Sequence, residues 1–310
     1  MTEHEGAARL DLEGLVTETA QPGRMTLDLA STDELVRLMA AEDALVPPAV
    51  AGASEAIAQA IDLVVERLSR GGRLIYVGAG TAGRIGVLDA AESGPTFNSP
   101  PGQVVGVMAG GANAFVMPVE GAEDDAEGGR RELERLRLEA DDVVVAVSAS
   151  GRTPYALGAA AYARSVGAAT VGVACNAGAA LSAGVDIPIE VVVGPEFIAG
   201  STRLKAGTAQ KLVLNTISTV SMVRLGKTLG NLMVDARATS EKLRARVVRI
   251  VAQATGATDD AAADALAAAE GDAKTAILML RRGLSADDAR GRLDACGRNL
   301  RRALDGDACA

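Results

Sequence analysis

The sequence predicts an α/β protein built on an open, parallel, five-stranded sheet that is flanked by helices. Short, continuous apolar runs are typical of strands that a parallel sheet buries on both faces. Such runs alternate with helical stretches along the 310 residues, which is the pattern of strand–helix–strand units. Aromatic residues make up only 2% of the chain and glycines number 35, which favours close packing of helices on a sheet. The predicted strands are 74–77, 104–108, 143–147, 170–174 and 187–193.

Three regions are predicted around this sheet. Residues 1–50 form an N-terminal helical arm, in which the helix-start signal lies at 31–34 and Pro47-Pro48 ends the helix. Residues 51–235 form the sheet domain. Residues 236–310 consist of short, alanine-rich helical stretches, which predicts a small C-terminal helical domain. We expect roughly the first 25 residues to be poorly ordered, with 15–24 packing across a neighbouring chain.

The net charge of −9 excludes two classes of partner. Nucleic acid and anionic membrane surfaces both require a basic face on the protein. No apolar run approaches the length of a membrane span, and the acidic N-terminus lacks the apolar segment of a secretory signal. Three scattered cysteines, Cys175, Cys296 and Cys309, favour reduced thiols. The sequence therefore predicts a cytoplasmic protein that binds a small molecule.

The histidine content restricts the chemistry that is available. The single histidine, His4, effectively excludes a histidine-based triad and a histidine-liganded metal site. Any acid–base catalysis must therefore come from carboxylates, lysine or tyrosine.

The first candidate ligand loop follows the strand 74–77. Gly78, Gly80 and Gly83 allow backbone N–H groups to approach a ligand, and the helix predicted to start near Arg84 adds the positive end of its dipole. An anion is the expected guest. The glycine spacing also fits a dinucleotide fingerprint, but that fingerprint requires an acidic residue after the next strand, and 107–111 contains none.

The second candidate loop, 148–155, follows the strand 143–147 in the same way. Ser148, Ser150, Gly151 and Thr153 lie there, and Pro154 suits the first position of a helix. The hydroxyls of Ser150 and Thr153 could simply cap that helix. Two such loops at the carboxyl edge of one parallel sheet favour a phosphate cradle instead.

Several longer motifs resemble those of the N-acetylmuramic acid 6-phosphate etherase family, which belongs to the sugar isomerase (SIS) superfamily. The resemblance covers about 17–304 and keeps the order of the motifs. They are GAGTAGRIGVLDAAE at 78–92, GPTF at 94–97, EGAED at 120–124, SASGRTPY at 148–155, GSTRLKAGTAQKLVL at 200–214 and NLMVD at 231–235.

The resemblance implies a cytoplasmic, homodimeric SIS-fold lyase that has no cofactor and whose site lies near the dimer interface. It would eliminate the D-lactyl ether across C2–C3 of the open-chain sugar and then add water. The products would be N-acetylglucosamine 6-phosphate and D-lactate, as in peptidoglycan amino-sugar recycling. Glu92 and Glu123 match the catalytic positions. We assign Glu92 to protonation of the departing oxygen and Glu123 to removal of the C2 proton, and the reverse assignment of the two glutamates stays open.

The same resemblance implies a set of substrate-binding and phosphate-binding residues. A role in holding a turn is an equal alternative for Glu196. A salt-bridge role is an equal alternative for Arg203 and Lys205. The family usually has serine where this chain has Ala82, which removes one hydroxyl from the first loop. The set is Gly80, Thr81, Ala82, Gly83, Ser148, Ser150, Gly151, Thr153, Glu196, Ser201, Arg203 and Lys205.

Two other functions remain open. A non-catalytic sugar-phosphate sensor, similar to glucokinase regulatory protein, shares the fold and related motifs. That protein is longer and has a second SIS domain, so 310 residues with one set of loops favour the enzyme. A sugar-phosphate isomerase is the third possibility, and it is disfavoured because the etherase motifs extend beyond the phosphate loops.

Overall fold

The structure, a computed structural model, describes residues 14–235 and 241–306, except for the side chain of Lys242. His4 and Cys309, which entered the predictions above, lie outside the described residues, as do the ends of the predicted arm and C-terminal domain.

The sheet has five parallel strands in the order β2-β1-β3-β4-β5, which confirms the predicted class. In a sheet of this order the chain reverses its winding direction between β1 and β3, and ligands bind outside the carboxyl ends of the strands at that point. The strands are β1 (Leu74–Gly78), β2 (Val104–Met108), β3 (Val143–Val147), β4 (Ala169–Ala174) and β5 (Ile187–Glu190).

The helices of the described chain cover both faces of the sheet and continue into the C-terminal region. They are α1 (Thr32–Asp43), α2 (Val46–Gly52), α3 (Ser54–Ser69), α4 (Gly80–Phe97), α5 (Ala126–Arg135), α6 (Pro154–Ser165), α7 (Ala180–Ala183), α8 (Lys205–Arg224), α9 (Glu241–Thr255), α10 (Asp259–Ala268), α11 (Ala273–Arg282), α12 (Ala286–Ala295) and α13 (Leu300–Asp305).

Helix α4 begins earlier than the glycine content predicts. It starts at Gly80 and not near Arg84, so Gly80 to Gly83 form its first turn. Low helix propensity at these glycines is overridden by tertiary packing, because Gly83 lies directly against β1. A Cβ at Gly83 would come within 2.6 Å of the carbonyl oxygen of Gly78.

The largest part of the core lies between the sheet and helices α3 and α8, two smaller parts pack elsewhere on the sheet, and a separate part lies in the C-terminal region. A cluster of buried residues in the C-terminal region runs from Val234 to Leu304. Asp235, the last residue of the NLMVD motif, accepts from Lys274 Nζ at 2.7 Å and pairs with Lys227 Nζ at 3.1 Å. This motif therefore ties α11 to the segment that follows α8.

The N-terminal segment packs on its own chain. Thr17 is fully buried, and its hydroxyl accepts from Asn176 Nδ2 at 3.1 Å, just beyond β4. The N–H of Gly200 donates to the carbonyl of Thr17 at 3.0 Å. The prediction that 15–24 packs across a neighbour missed these contacts, because they join residues more than 150 positions apart.

Two further predictions can be compared with the structure. Cys175 is a buried free thiol, but Cys296 is disulfide-bonded, so the prediction of reduced thiols is wrong there. An odd number of cysteines leaves one thiol unpaired without excluding a pair. No single described helix is long and apolar enough to cross a bilayer. Two consecutive helical segments, Thr32–Gly52 and Ser54–Ser69, together have the length and composition of a span, but they meet at an angle of 61°.

Candidate functional site

A cavity of about 320 Å³ opens at the point where the winding of the sheet reverses. Its walls come from the loop after β1, the loop after β3, the N-terminal segment and the start of α8. This is the position at which an open parallel sheet binds its ligands. Six of the predicted phosphate-binding residues line it: Gly80, Thr81, Ala82, Ser148, Ser150 and Thr153.

The first loop turns directly into the N-terminus of α4. Gly80 has φ +54°, a left-handed backbone that favours glycine, and it starts the helix at the cavity wall. Backbone N–H groups in the first turn of a helix have no partner within the helix and carry the positive end of its dipole. Gly83 does not line the cavity; its role is the close approach of α4 to β1.

The second loop is held together by the hydroxyl of Ser148. This oxygen lies 2.7 Å from Thr153 Oγ1 and 3.3 Å from Ser150 Oγ, and it accepts from the N–H of Gly151 at 3.0 Å. Thr153 is the N-cap residue of α6, but its side chain does not cap the helix. Gly151 does not line the cavity, and its φ of +68° lets the loop turn. The capping alternative therefore does not describe Thr153.

Acidic residues surround the rest of the cavity. Glu18 from the N-terminal segment lines it together with Glu123 and Asp124, which belong to the short 3-10 helix Ala122–Asp124. Arg152 is the only arginine or lysine among the lining residues of the described chain. An anion bound here would be held mainly by hydroxyls and backbone N–H groups.

The two candidate catalytic glutamates lie far apart within one chain. Glu123 lines the cavity, whereas Glu92 is exposed and does not. Glu92 follows Gly80 by twelve positions in α4, which is about 18 Å along the axis at ~1.5 Å per residue. The sugar phosphate of one chain cannot contact both the α4 N-terminus and Glu92 of that chain.

The remaining predicted binding residues have other contacts in this chain. The Glu196 carboxylate accepts from the N–H groups of Lys205 and Ala206, both at 2.9 Å, and so caps α8. Lys205 is 1% exposed, and its Nζ donates to Glu42 Oε2 at 2.5 Å. Ser201 and Arg203 do not line the cavity. These contacts favour the structural alternatives for Glu196 and Lys205.

Several lining residues were not predicted from the sequence. Glu18 comes from a segment that was expected to be poorly ordered, and Thr202 and Gln210 lie in the motif 200–214, where charged residues were singled out instead. Gln210 lies on the buried face of α8, which also carries Lys205, Ser218 and Ser221, so its polarity alone does not single it out in the sequence.

Comparisons with known proteins agree with this architecture. The model of the glucokinase regulatory protein N-terminal SIS domain matches residues 56–164, and the model of the SIS domain matches 128–219. A structure of a putative phosphosugar isomerase involved in capsule formation from Bacteroides fragilis covers 64% of this chain and 94% of its own, with a TM-score of 0.50 and 19% identity. The chain is thus an α/β protein with the SIS fold.

Closer relatives define the family. N-acetylmuramic acid 6-phosphate etherase of Streptomyces coelicolor is 58% identical over 98% of this chain and 97% of its own length. The Rubrobacter xylanophilus protein of the same name is 63% identical over 91% of this chain and 93% of its own. The chain belongs to the N-acetylmuramic acid 6-phosphate etherase family.

Proposed function

We propose that this protein cleaves the D-lactyl ether of N-acetylmuramic acid 6-phosphate and releases N-acetylglucosamine 6-phosphate and D-lactate. The observation that carries the proposal is the cavity itself, where two anion-binding loops and the carboxylate of Glu123 meet at one edge of the sheet. Family membership over nearly the whole chain supports the substrate class.

The phosphate is proposed to bind between the two loops. The first turn of α4 supplies N–H groups and Thr81 a hydroxyl, while Ser148, Ser150 and Thr153 supply hydroxyls from the other side. Hydrogen bonds to a charged group contribute ~1.5–3 kcal/mol each, so a few such contacts suffice without a lysine. Where the family usually has serine, Ala82 leaves one hydroxyl fewer in this cradle.

The reaction is proposed to proceed by elimination and addition. Glu123 removes the proton from C2, the C3–O bond breaks, its electrons go to the lactyl oxygen, and the C–H electrons form the C2–C3 double bond. Glu92 protonates the departing oxygen and, as a carboxylate, then activates water. The water oxygen bonds to C3 and a proton returns to C2.

The position of Glu92 supports a site that is assembled from two copies of this chain. In the proposed homodimer, Glu92 of one copy lies at the cavity of the other. Glu92 cannot serve its own cavity, since the start of α4 lies about 18 Å away along the helix at ~1.5 Å per residue. Leu88, one turn earlier in α4, is 52% exposed, which is consistent with an apolar contact beside Glu92.

The test is product release from N-acetylmuramic acid 6-phosphate in water labelled with heavy oxygen. The expected products are unlabelled D-lactate and a sugar that carries the label at C3. Glu92→Gln and Glu123→Gln should each lower turnover by about 10²–10⁴-fold, the usual contribution of acid–base catalysis. Glu55→Gln, an exposed glutamate of α3, is the matched control and should retain full activity.

Two results would contradict the proposal. Label in the lactate would place the cleaved bond on the lactyl side of the ether. Binding of the sugar phosphate without lactate release would favour the second candidate, a regulator, for which the match of residues 56–164 to the glucokinase regulatory protein domain is the supporting observation.

We also propose that the protein acts in the cytoplasm. A sugar phosphate is charged and does not cross a bilayer unaided, so enzyme and substrate must share one compartment. The disulfide at Cys296 argues in the opposite direction, because cytoplasmic thiols are mostly kept reduced. Cell fractionation decides between a cytoplasmic and a secreted location. We expect the protein to be recovered with cytoplasmic marker proteins, and its recovery with secreted markers would contradict the proposal.

A further inference from the structure

Gln210 is a buried side chain that the proposed reaction does not use. It lies in the second turn of α8, is 1% exposed and lines the cavity. Neither its Oε1 nor its Nε2 has a hydrogen-bond partner in the described chain. Leaving one such buried group unpaired costs about 1–3 kcal/mol, so a glutamine here needs a reason.

Other buried side chains of the described chain also carry at least one polar atom without a partner, Oδ2 in the case of Asp89, but they lie elsewhere. Tyr76, Asp89, Tyr155 and Ser221 are among them, and none lines this cavity. Ser148, which is buried at the cavity wall, is fully engaged with its own loop. Gln210 is therefore the lining residue whose buried polar atoms have no partner among the described residues.

The helix carrying Gln210 is close to the first loop. One turn earlier, a Cβ at Gly207 would come within 3.2 Å of the methyl group of Thr81. The carboxamide thus lies on the α8 wall, while the proposed phosphate cradle is formed by the starts of α4 and α6.

We propose that Gln210 binds a hydroxyl group of the sugar and so recognises the sugar rather than the phosphate; this inference rests on the proposed function. A carboxamide presents a donor and an acceptor side by side. The oxygens of a phosphate dianion can only accept, so they would satisfy Nε2 and leave Oε1 buried and unpaired. A hydroxyl can accept from Nε2 or donate to Oε1, so sugar hydroxyls, unlike phosphate oxygens, can also satisfy Oε1.

The test compares two probes, N-acetylglucosamine 6-phosphate and inorganic phosphate, by calorimetry on the full chain. Gln210→Met keeps the side-chain length and removes both polar groups. We expect it to weaken binding of the sugar phosphate about ten- to hundredfold and to leave binding of inorganic phosphate unchanged. Ser221→Ala, a second buried and unpartnered polar residue of α8, is the matched control and should change neither affinity.

Folding provides an independent measurement. Since Gln210→Met removes two unpaired buried polar groups, the ligand-free variant should unfold at the same temperature as the wild type or a higher one. Analogues of N-acetylglucosamine 6-phosphate that each lack one sugar hydroxyl identify the group that Gln210 contacts. The analogue that lacks the contacted hydroxyl should bind wild type and Gln210→Met equally.

The proposal is overturned if a folded Gln210→Met binds the sugar phosphate as tightly as wild type, or if affinity for inorganic phosphate falls equally. A lowered unfolding temperature without ligand would likewise assign the residue to structure. Failure of the etherase proposal is a separate result. If the wild type releases no D-lactate, but Gln210→Met still weakens binding of the sugar phosphate, the inference about Gln210 holds.

Discussion

Ser148 joins the end of β3 to the start of α6 through one hydroxyl group. Its oxygen contacts the hydroxyls of Ser150 and Thr153 and accepts from the N–H of Gly151. The loop is therefore shaped before a ligand arrives, which lowers the entropic cost of binding. The orientation of three hydroxyls toward the cavity depends on this residue.

Ser148→Ala is predicted to weaken binding of sugar phosphate and of inorganic phosphate alike. Loss of one hydrogen bond to an anion and of the loop geometry should lower affinity about 10–100-fold, from ~1.5–3 kcal/mol per charged hydrogen bond. Calorimetry with both ligands measures it. Ser182→Ala, in α7 and away from the cavity, is the control. Unchanged phosphate affinity in Ser148→Ala would contradict the proposed cradle.

Asp89 is a second residue whose surroundings make a pH-dependent prediction. It is 7% exposed, and its Oδ1 accepts from Asn215 Nδ2 at 2.5 Å and from Ser218 Oγ at 3.0 Å. Burial raises the pKa of this carboxyl, although the hydrogen bonds oppose the shift. The folded state therefore holds this proton to higher pH than the unfolded state does, and ionisation of Asp89 costs stability as pH rises through that window.

Asp89→Asn is accordingly predicted to raise the free energy of unfolding at neutral pH. The gain should disappear below the unfolded pKa of aspartate, about 3.9, where the wild-type side chain is protonated in both states. Urea unfolding across pH measures this difference. A variant that is less stable than wild type at pH 7 would show that the bonds to Asn215 and Ser218 outweigh the cost of burial.

Some residues of the cavity could be predicted from the sequence, and others could not. Thr81, Ser148, Ser150 and Thr153 lie in contiguous loops directly after strands, so sheet topology alone brings them to one edge. Glu18 reaches the same cavity from a segment whose position depends on a contact with Asn176, 159 residues away. No local pattern encodes such a contact.

At the scale of elements, the N-terminal arm is locked to α8 by buried charges. Glu42 of α1 accepts from Lys205 Nζ at 2.5 Å and from Arg24 at 2.7 Å. The hydrogen bond and charge of Lys205 lower the pKa of the Glu42 carboxyl, with burial acting in the opposite direction. From the sequence, substrate contact and a salt bridge were equal alternatives for Lys205, because its partner, 163 positions away, was not foreseeable.

Lys205→Met is predicted to destabilise the fold by about 3 kcal/mol, because removing one partner of a buried ion pair leaves the other charge uncompensated. Arg203→Met, at an exposed neighbour, should change stability by less than ~0.5 kcal/mol. Urea unfolding measures both. An equally stable Lys205→Met with a raised KM would instead return this lysine to the substrate site.

The lowered pKa of Glu42 carries a second consequence at this scale. Its stabilising effect is present above the unfolded pKa of glutamate and is lost as pH falls through the lower, folded value. The attachment of α1 to α8 is therefore expected to weaken in acid, and urea unfolding of wild type and Glu42→Gln across pH measures this effect.

For the whole molecule, the parallel sheet and the edge at which the cavity lies followed from the pattern of strands and loops, whereas the start of α4 did not. Local propensity favours a loop at 78–83, but close packing of Gly83 against β1 extends the helix back to Gly80. That shift places the helix N-terminus at the cavity, and it also increases the separation between the cavity and Glu92.

The separation of Glu92 from Glu123 leads to the central claim about the whole molecule, that one active site uses two copies of the chain. Glu92→Gln and Glu123→Gln alone should each be nearly inactive in D-lactate release. In a mixed dimer, one cavity would combine Glu123 of the first variant with Glu92 of the second, and the other cavity would lack both.

The decisive measurement is D-lactate release by the two variants after they are unfolded and refolded together. The expected activity is about one quarter of wild type, since half of randomly paired dimers are mixed and each holds one complete site. The control is each variant refolded alone, which should remain inactive. A mixture no more active than the separate variants would contradict the claim, because it would place both glutamates in the site of a single chain.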